Sequence, residues 1–184
     1  DNTANFKRMF PMSLRLQAHD LIRVWCFYTI VKALYHHDTV PWRNIMTSGH
    51  VLTSSGEKMS KSKGNVITPQ HVLDQYGADA LRYWAAGSKL GEDIPYQEKD
   101  LKTAQRTITK LWNASRFVFS HLTAYTLKKP SRLEPMDQWL LSKLHQLIRS
   151  CTTHFEHYEY SFARRDVDHF FWNTFCDNYL EIVK

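Results

Sequence analysis

Lys58-Met59-Ser60-Lys61-Ser62-Lys63-Gly64-Asn65 is the stretch from which the chain is best read. Three lysines and a glycine fall within the seven residues from Lys58 to Gly64, with Ser60 and Ser62 separating the charges. The preceding Thr53-Ser54-Ser55-Gly56-Glu57 is turn-forming and interrupts any strand or helix. The following Val66-Ile67-Thr68-Pro69 has the form of a helix start, with Thr68 as N-cap and Pro69 at the first helical position. Lysines on a pliable loop suit a transient load of negative charge, such as a leaving pyrophosphate, because the loop can close over the charge and then open. A run of Lys, Ser and Gly is by default a solvated loop, a localisation signal or a nucleic-acid patch, so composition alone does not select the phosphate reading.

Residue order does select it. Lys58-Met59-Ser60-Lys61-Ser62, after a turn and before a helix, resembles the signature loop of the class I aminoacyl-tRNA synthetases at all five positions. The continuation Lys63-Gly64-Asn65 resembles the Val/Ile/Leu branch of that class. Gln17-Ala18-His19-Asp20-Leu21-Ile22-Arg23-Val24-Trp25 is similar to the stretch that holds the adenosine ribose and lines the amino-acid pocket, and Ser48-Gly49-His50-Val51 to the strand end passing the adenine. Lys110 to Val118, Asp137 to Leu144 and Phe171 to Asp177 resemble helices of the valyl-type anticodon-binding bundle. The resemblance spans residues 14–184.

Length and composition agree with a globular protein of one or two domains. The chain has 184 residues, 43% hydrophobic and 14% aromatic, and only six glycines and six prolines, which argues against disorder. A net charge of +6 permits a polyanionic partner. Cys26, Cys151 and Cys176 are widely spaced and odd in number, so neither a disulfide framework nor a zinc site follows, and a reducing compartment is expected. No apolar run approaches the roughly 18 residues of a membrane span, and no signal peptide is evident at the start. The chain lacks a starting Met and stops inside a helical pattern, which reads as a piece of a longer protein.

Periodicity supplies the rest. Residues 1–13 read as irregular, with Pro11 as a breaker. Leu14 to about Tyr35 reads as a helix, apolar on most sides and therefore buried. Asn44–Thr47 and Val51-Leu52 read as short strands, and a helix–strand–loop series places ligands at strand carboxyl ends. Two short helices, Pro69–Gln75 and Ala78–Ala86, precede a turn-rich linker at Leu90–Tyr96 and a domain boundary near residue 97. Helices are expected at Glu98–Ala124, from Pro135, and at Phe162–Val183, with Lys128-Lys129-Pro130-Ser131-Arg132 as a basic loop. His154 and His157 have metal-compatible spacing but read as exposed helix histidines, and the aromatics of the last helix read as core.

The expected fold is mainly α with a small α/β portion: residues 1–97 as the carboxyl-terminal part of a Rossmann-like catalytic domain, and 98–184 as an incomplete helical anticodon-binding domain. The resemblance implies Lys58 and Lys61 as the catalytic cations, Lys61 foremost. It implies ATP contacts at Lys58, Met59, Ser60, Lys61, Ser62, Gln17, Asp20 and His50, and an amino-acid pocket wall at Trp25. It further implies ATP carrying Mg2+ with no protein-bound metal, valine and tRNA(Val) as partners, no membrane, and a cytoplasmic location. The class's other signature, His-x-Gly-His, is absent and nothing resembles an editing domain, so this piece alone is expected to be inactive. An isoleucyl- or leucyl-type relative, or a non-catalytic RNA-binding module on the same fold, remains as an alternative. Arg106, Lys110, Arg116, Lys128, Lys129, Arg132, Arg164 and Arg165 are available to RNA, with solvated helix charge as the default reading of each.

Overall fold

The computed structural model describes residues 3–122 and 130–184. Two compact units emerge. One comprises residues 1–65 and 89–96, the other 66–88 and 97–184.

The first unit is built on a pair of parallel strands. Helix α1 (Thr3–Met9) leads through a cis Phe10–Pro11 bond to β1 (Met12–Ala18). A short 3-10 turn (His19–Leu21) and a π-helical turn (Ile22–Cys26) then run into α2 (Phe27–His37), and β2 spans Trp42–Ser48. β1 and β2 pair in parallel from Met12↔Trp42 to Ala18↔Ser48. Apolar Met12, Leu14 and Leu16 alternate with Ser13, Arg15 and Gln17, which is the period of a strand. The polar set is the more enclosed one. Gln17 is buried, and the Arg15 guanidinium lies 4.2 Å from the Trp25 ring centroid and 5.6 Å from that of buried Trp42. Such a cation over an aromatic face contributes about 0.5–2 kcal/mol depending on desolvation.

A second parallel pair joins β3 (Val51–Leu52) to β4 (Ile94–Pro95). Between them in sequence lies the lysine loop. Thr53 and Glu57 close a tight turn through Thr53 N–H to Glu57 C=O (2.8 Å) and Glu57 N–H to Thr53 Oγ1 (3.0 Å), with Gly56 at φ 84°. An isolated antiparallel bridge then sets Lys58 against Leu52.

The second unit is helical. Its helices are α3 (Pro69–Tyr76), α4 (Ala78–Ala85), α5 (Glu98–Ser120), α6 (Pro135–Glu156), α7 (Tyr160–His169) and α8 (Leu180–Val183). A π-helical segment, Phe170–Tyr179, makes α7 and α8 one continuous rod. Pro69 and Pro135 occupy first-turn positions, where a missing N–H costs nothing. Glu134 and Asp137 form a capping box at the start of α6. Small residues let α4 and α5 approach closely: Ala80 and Ala104 are fully buried, and so is the larger Leu101. Further along α5, Ala114 packs with Cys176 and Leu180, with Phe117, Val118, Phe171 and Phe175 around them. Polar ties cross the helices. Tyr83 donates to Asp168 (2.5 Å), Tyr179 to Asp137 (2.7 Å) and Ser150 to Asp166 (2.8 Å). Burial and the carboxylate partner both push the Tyr83 and Tyr179 hydroxyls up.

Several sequence expectations are corrected. Residues 14–18 are strand, because the period-2 alternation prevails over the helical pattern that begins only at residue 19. The first 13 residues include a helix and the start of β1. The apolar surface around α2 is not buried among the described residues: Trp25, Phe27, Tyr28 and Tyr35 are exposed, since a two-stranded sheet covers little. For the same reason β2 is only partly enclosed. Leu90–Tyr96 contains a strand, which exists only through its pairing with β3. The last helix starts at Tyr160. His154 is half-buried and pairs with Asp166 at 3.2 Å, while His157 reaches its own helix backbone at Thr153. The end of the expected helix at Ala124, and Lys128 and Lys129, lie outside the described residues.

Candidate functional site

The carboxyl ends of β1 and β2 stop together at Ala18↔Ser48, and the residues immediately beyond them converge. Asp20 follows β1 and His50 follows β2. The Lys58 ammonium reaches both, 3.3 Å from Asp20 Oδ2 and 3.2 Å from His50 Nε2. His50 Nε2 lies 3.6 Å from the same carboxylate oxygen, and the His19 ring meets the His50 ring edge-on at 4.5 Å. A carboxylate, two imidazoles and an ammonium thus gather where a parallel sheet presents its ligand-binding edge. Partial desolvation pushes the Asp20 carboxyl up. The hydrogen bond from Lys58 and the charges of His50, Lys58 and His19 outweigh it and hold Asp20 below the usual carboxylate range.

His50 is fixed from behind. Its backbone N–H donates to Asp93 Oδ1 at 2.6 Å, and its C=O accepts from Ile94 N–H at 2.9 Å. Gly49 lies so close to the Glu92–Asp93 turn that a Cβ there would sit 2.1 Å from the Glu92 carbonyl oxygen. Only glycine permits that approach.

The loop itself is ordered by its own polar groups. Ser60 and Ser62 hydroxyls bond at 2.7 Å, Ser60 N–H donates to Asn65 Oδ1 at 2.8 Å, and Asn65 Nδ2 donates to the Lys58 carbonyl at 3.4 Å. Lys61–Lys63 forms a 3-10 turn that Gly64 ends at φ 66°. Lys61 and Lys63 are exposed and enter no ion pair among the described residues, so their charge remains available to an anion. Met59 is half-buried.

Of the residues singled out by sequence, Asp20, His50 and Lys58 are brought into contact. Gln17 is buried at the end of β1, register partner of Thr47, and neither its amide oxygen nor its nitrogen has a hydrogen-bond partner among the described residues. Trp25 sits in the π-helical turn against Arg15, half-exposed, apart from the Lys58 contacts. Arg15 carries no functional signal in the sequence, and Asn65 enters there only through the resemblance of Lys63-Gly64-Asn65 to one branch of the family. Asp93 had no local signal, because its partner is 43 residues away.

In the helical unit, Lys102, Gln105, Arg106, Thr109, Lys110, Asn113 and Trp172 line a groove along α5. The Lys110 ammonium lies 5.4 Å from the Trp172 ring centroid, and Trp172 Nε1–H donates to Thr107. Arg106 and Lys110 have no acidic partner among the described residues. Those residues contain no group of three or more side chains suited to a metal ion, and none of their helices is long and apolar enough to cross a membrane.

The first unit holds two pairs of parallel strands and a basic loop, and the second is a set of helices. Residues 1–97 match the family described as tRNA synthetases class I (I, L, M and V), and residues 137–184 match the anticodon-binding domain of tRNA ligase. The chain belongs to the class I tRNA synthetase family. Its relatives include the valine-tRNA ligases of Wolbachia sp. subsp. Brugia malayi (strain TRS), 51% identical over 97% of this chain, and of Haloarcula marismortui, 48% identical over 99%. The chain spans only 21% and 20% of those proteins. Among solved structures, Mycobacterium tuberculosis methionyl-tRNA synthetase in complex with methionyl-adenylate superposes with a TM-score of 0.74 at 25% identity, covering 88% of this chain and 33% of that one. The Agrobacterium radiobacter K84 agnB2 LeuRS-tRNA-LeuAMS complex gives 0.72 at 18% identity, covering 85% and 22%. The second likeness shows the fold alone.

Proposed function

We propose that this chain is the loop-bearing part of a valine-tRNA ligase, acting in ATP-dependent activation of valine and its transfer to tRNA(Val). The observation that carries the proposal is the meeting of Lys58, Asp20 and His50 at the ends of two parallel strands, with Lys61 three residues on, exposed and in no ion pair among the described residues. Kinship near 50% with proteins named valine-tRNA ligase favours valine over isoleucine or leucine.

In the reaction the valine carboxylate attacks the α-phosphorus of MgATP. A carboxylate–phosphorus bond forms, the bond to the bridging oxygen breaks, and pyrophosphate leaves with its electron pair. The ribose hydroxyl at the 3′ end of tRNA then takes the acyl group, releasing AMP. Lys58 and Lys61 stabilise charge on the departing phosphates by position, with no proton transfer from the loop. In this picture Lys58 exchanges its Asp20 partner for phosphate as the loop closes, which frees the Asp20 carboxylate for the ribose. Gln17 stands at the end of β1 with a buried amide that has no partner among the described residues, His50 passes the adenine, and Trp25 walls the amino-acid pocket. The α5 groove, with Arg106 and Lys110 beside Trp172, suits an RNA backbone.

The test is valine-dependent ATP–pyrophosphate exchange in the full-length protein. Lys61→Ala is expected to lower kcat by about 100-fold, the scale for losing one preorganised charge contact, with little change in KM for ATP. A raised KM with kcat intact refutes the transition-state role, and exchange supported by isoleucine or leucine in place of valine refutes the specificity.

A further inference from the structure

We infer that Asn65 is a positioning residue for the loop lysines: its carboxamide braces the backbone on both sides of Met59 and thereby sets where Lys58 and Lys61 point. The inference rests on the reading of those lysines given above.

The two ends of one side chain do different jobs. Oδ1 accepts from the Ser60 N–H at 2.8 Å, and Nδ2 donates to the Lys58 C=O at 3.4 Å. Only Met59 lies between those groups, so a side chain seven residues beyond Lys58 closes a small ring over the turn. The main chain returns to make this possible. Lys63 N–H bonds Ser60 C=O and Gly64 N–H bonds Lys61 C=O, both at 3.2 Å, and Gly64 at φ 66° reverses the direction so that Asn65 faces back. That left-handed conformation is one glycine adopts without strain.

An ordinary loop asparagine spends its amide on water. Here both ends are used on the backbone of residues that carry or adjoin the lysines. Lys58 has other restraints, the bridge to Leu52 and the contact with Asp20. Lys61 has none of these. Its side chain is exposed, and its place follows from the turn that begins at Ser60, the residue Asn65 holds. Loss of the brace therefore falls hardest on Lys61. Such an effect belongs to kcat, because a lysine that wanders still attracts ATP but is seldom in place when charge develops.

The experiment uses the full-length protein as wild type, Asn65→Ala and Lys61→Ala. Asn65 is a partly exposed loop residue, and unchanged thermal melting verifies that the variant folds. Two readouts are taken: tryptic cleavage after Lys58, Lys61 and Lys63 without nucleotide, and valine-dependent pyrophosphate exchange. Asn65→Ala is expected to be cleaved about tenfold faster, as a loop with a smaller opening free energy is. It is expected to lose about 10- to 100-fold in kcat, the scale of a misplaced catalytic group, with KM for ATP within about twofold. Unchanged cleavage overturns the brace. Faster cleavage with unchanged kcat, while Lys61→Ala is slow, overturns the positioning role and leaves the lysine reading standing. Loss confined to KM likewise overturns it. If Lys61→Ala is as fast as wild type, the reading beneath the inference falls, and the inference with it.

Discussion

Gly49→Ala tests how the strand ends support the site. A Cβ at this position lies 2.1 Å from the Glu92 carbonyl oxygen, 2.3 Å from its carbon and 2.6 Å from the Asp93 nitrogen. These are backbone atoms and cannot swing aside as a side chain does. Restoring van der Waals contact requires the turn to retreat by roughly 1 Å. The same turn donates Gly91 N–H to Thr47 C=O at 2.8 Å and Ile94 N–H to His50 C=O at 2.9 Å, and it accepts the His50 N–H on Asp93 at 2.6 Å. Overpacking costs about 1–3 kcal/mol and each hydrogen bond lost adds about 1 kcal/mol, so about 2–5 kcal/mol is expected. Displacing His50, and Lys58 with it, by about 1 Å further lowers the adenylation rate by about 100-fold. The assays are thermal melting and valine-dependent pyrophosphate exchange on the full-length protein. Wild-type melting refutes the steric argument. Lower melting with an unchanged rate per folded molecule refutes the link from the turn to the site.

Three further outcomes are expected. Leu101→Ala empties a fully buried position on α5 and is expected to destabilise by about 2–5 kcal/mol, read by denaturant titration. Asp166 accepts from Ser150, Arg165 and His154; desolvation pushes its carboxyl up, but those bonds prevail and lower it. Its contribution is therefore present at neutral pH and is lost as pH falls through the lowered value, and Asp166→Asn, costing about 1–3 kcal/mol, should flatten the acid limb of a stability–pH curve. Asp20 is held low in the same sense, so Lys58→Ala should move its titration upward in a carboxyl-carbon NMR titration, and an unmoved titration would show that the Lys58 contact is not made in solution.

How much of this was legible depends on the range of the forces involved. The α5 and α6 helices could be read because apolar spacing and a proline at a first-turn position, Pro135, are local signals. The loop could be read because its charges and glycine are contiguous. β1 was misread because its alternation is inverted, with Gln17 enclosed and Leu16 exposed, so burial of apolar residues gave no guide. β4 is two residues long, and one of them, Pro95, has no N–H to donate. No local preference marks such a strand, which exists because β3 lies beside it.

Amino-acid order alone therefore determined the lysine loop, the α5 and α6 helices and the family. These rest on residues within a few turns of each other, whose spacing carries their meaning. Tertiary structure alone decided that Lys58 meets Asp20 across 38 residues, that Asp93 holds the His50 backbone, and that Gly49 has no room for a methyl group. Those contacts follow from strand register and from which loop turns back on which, and both are set by pairing between distant segments.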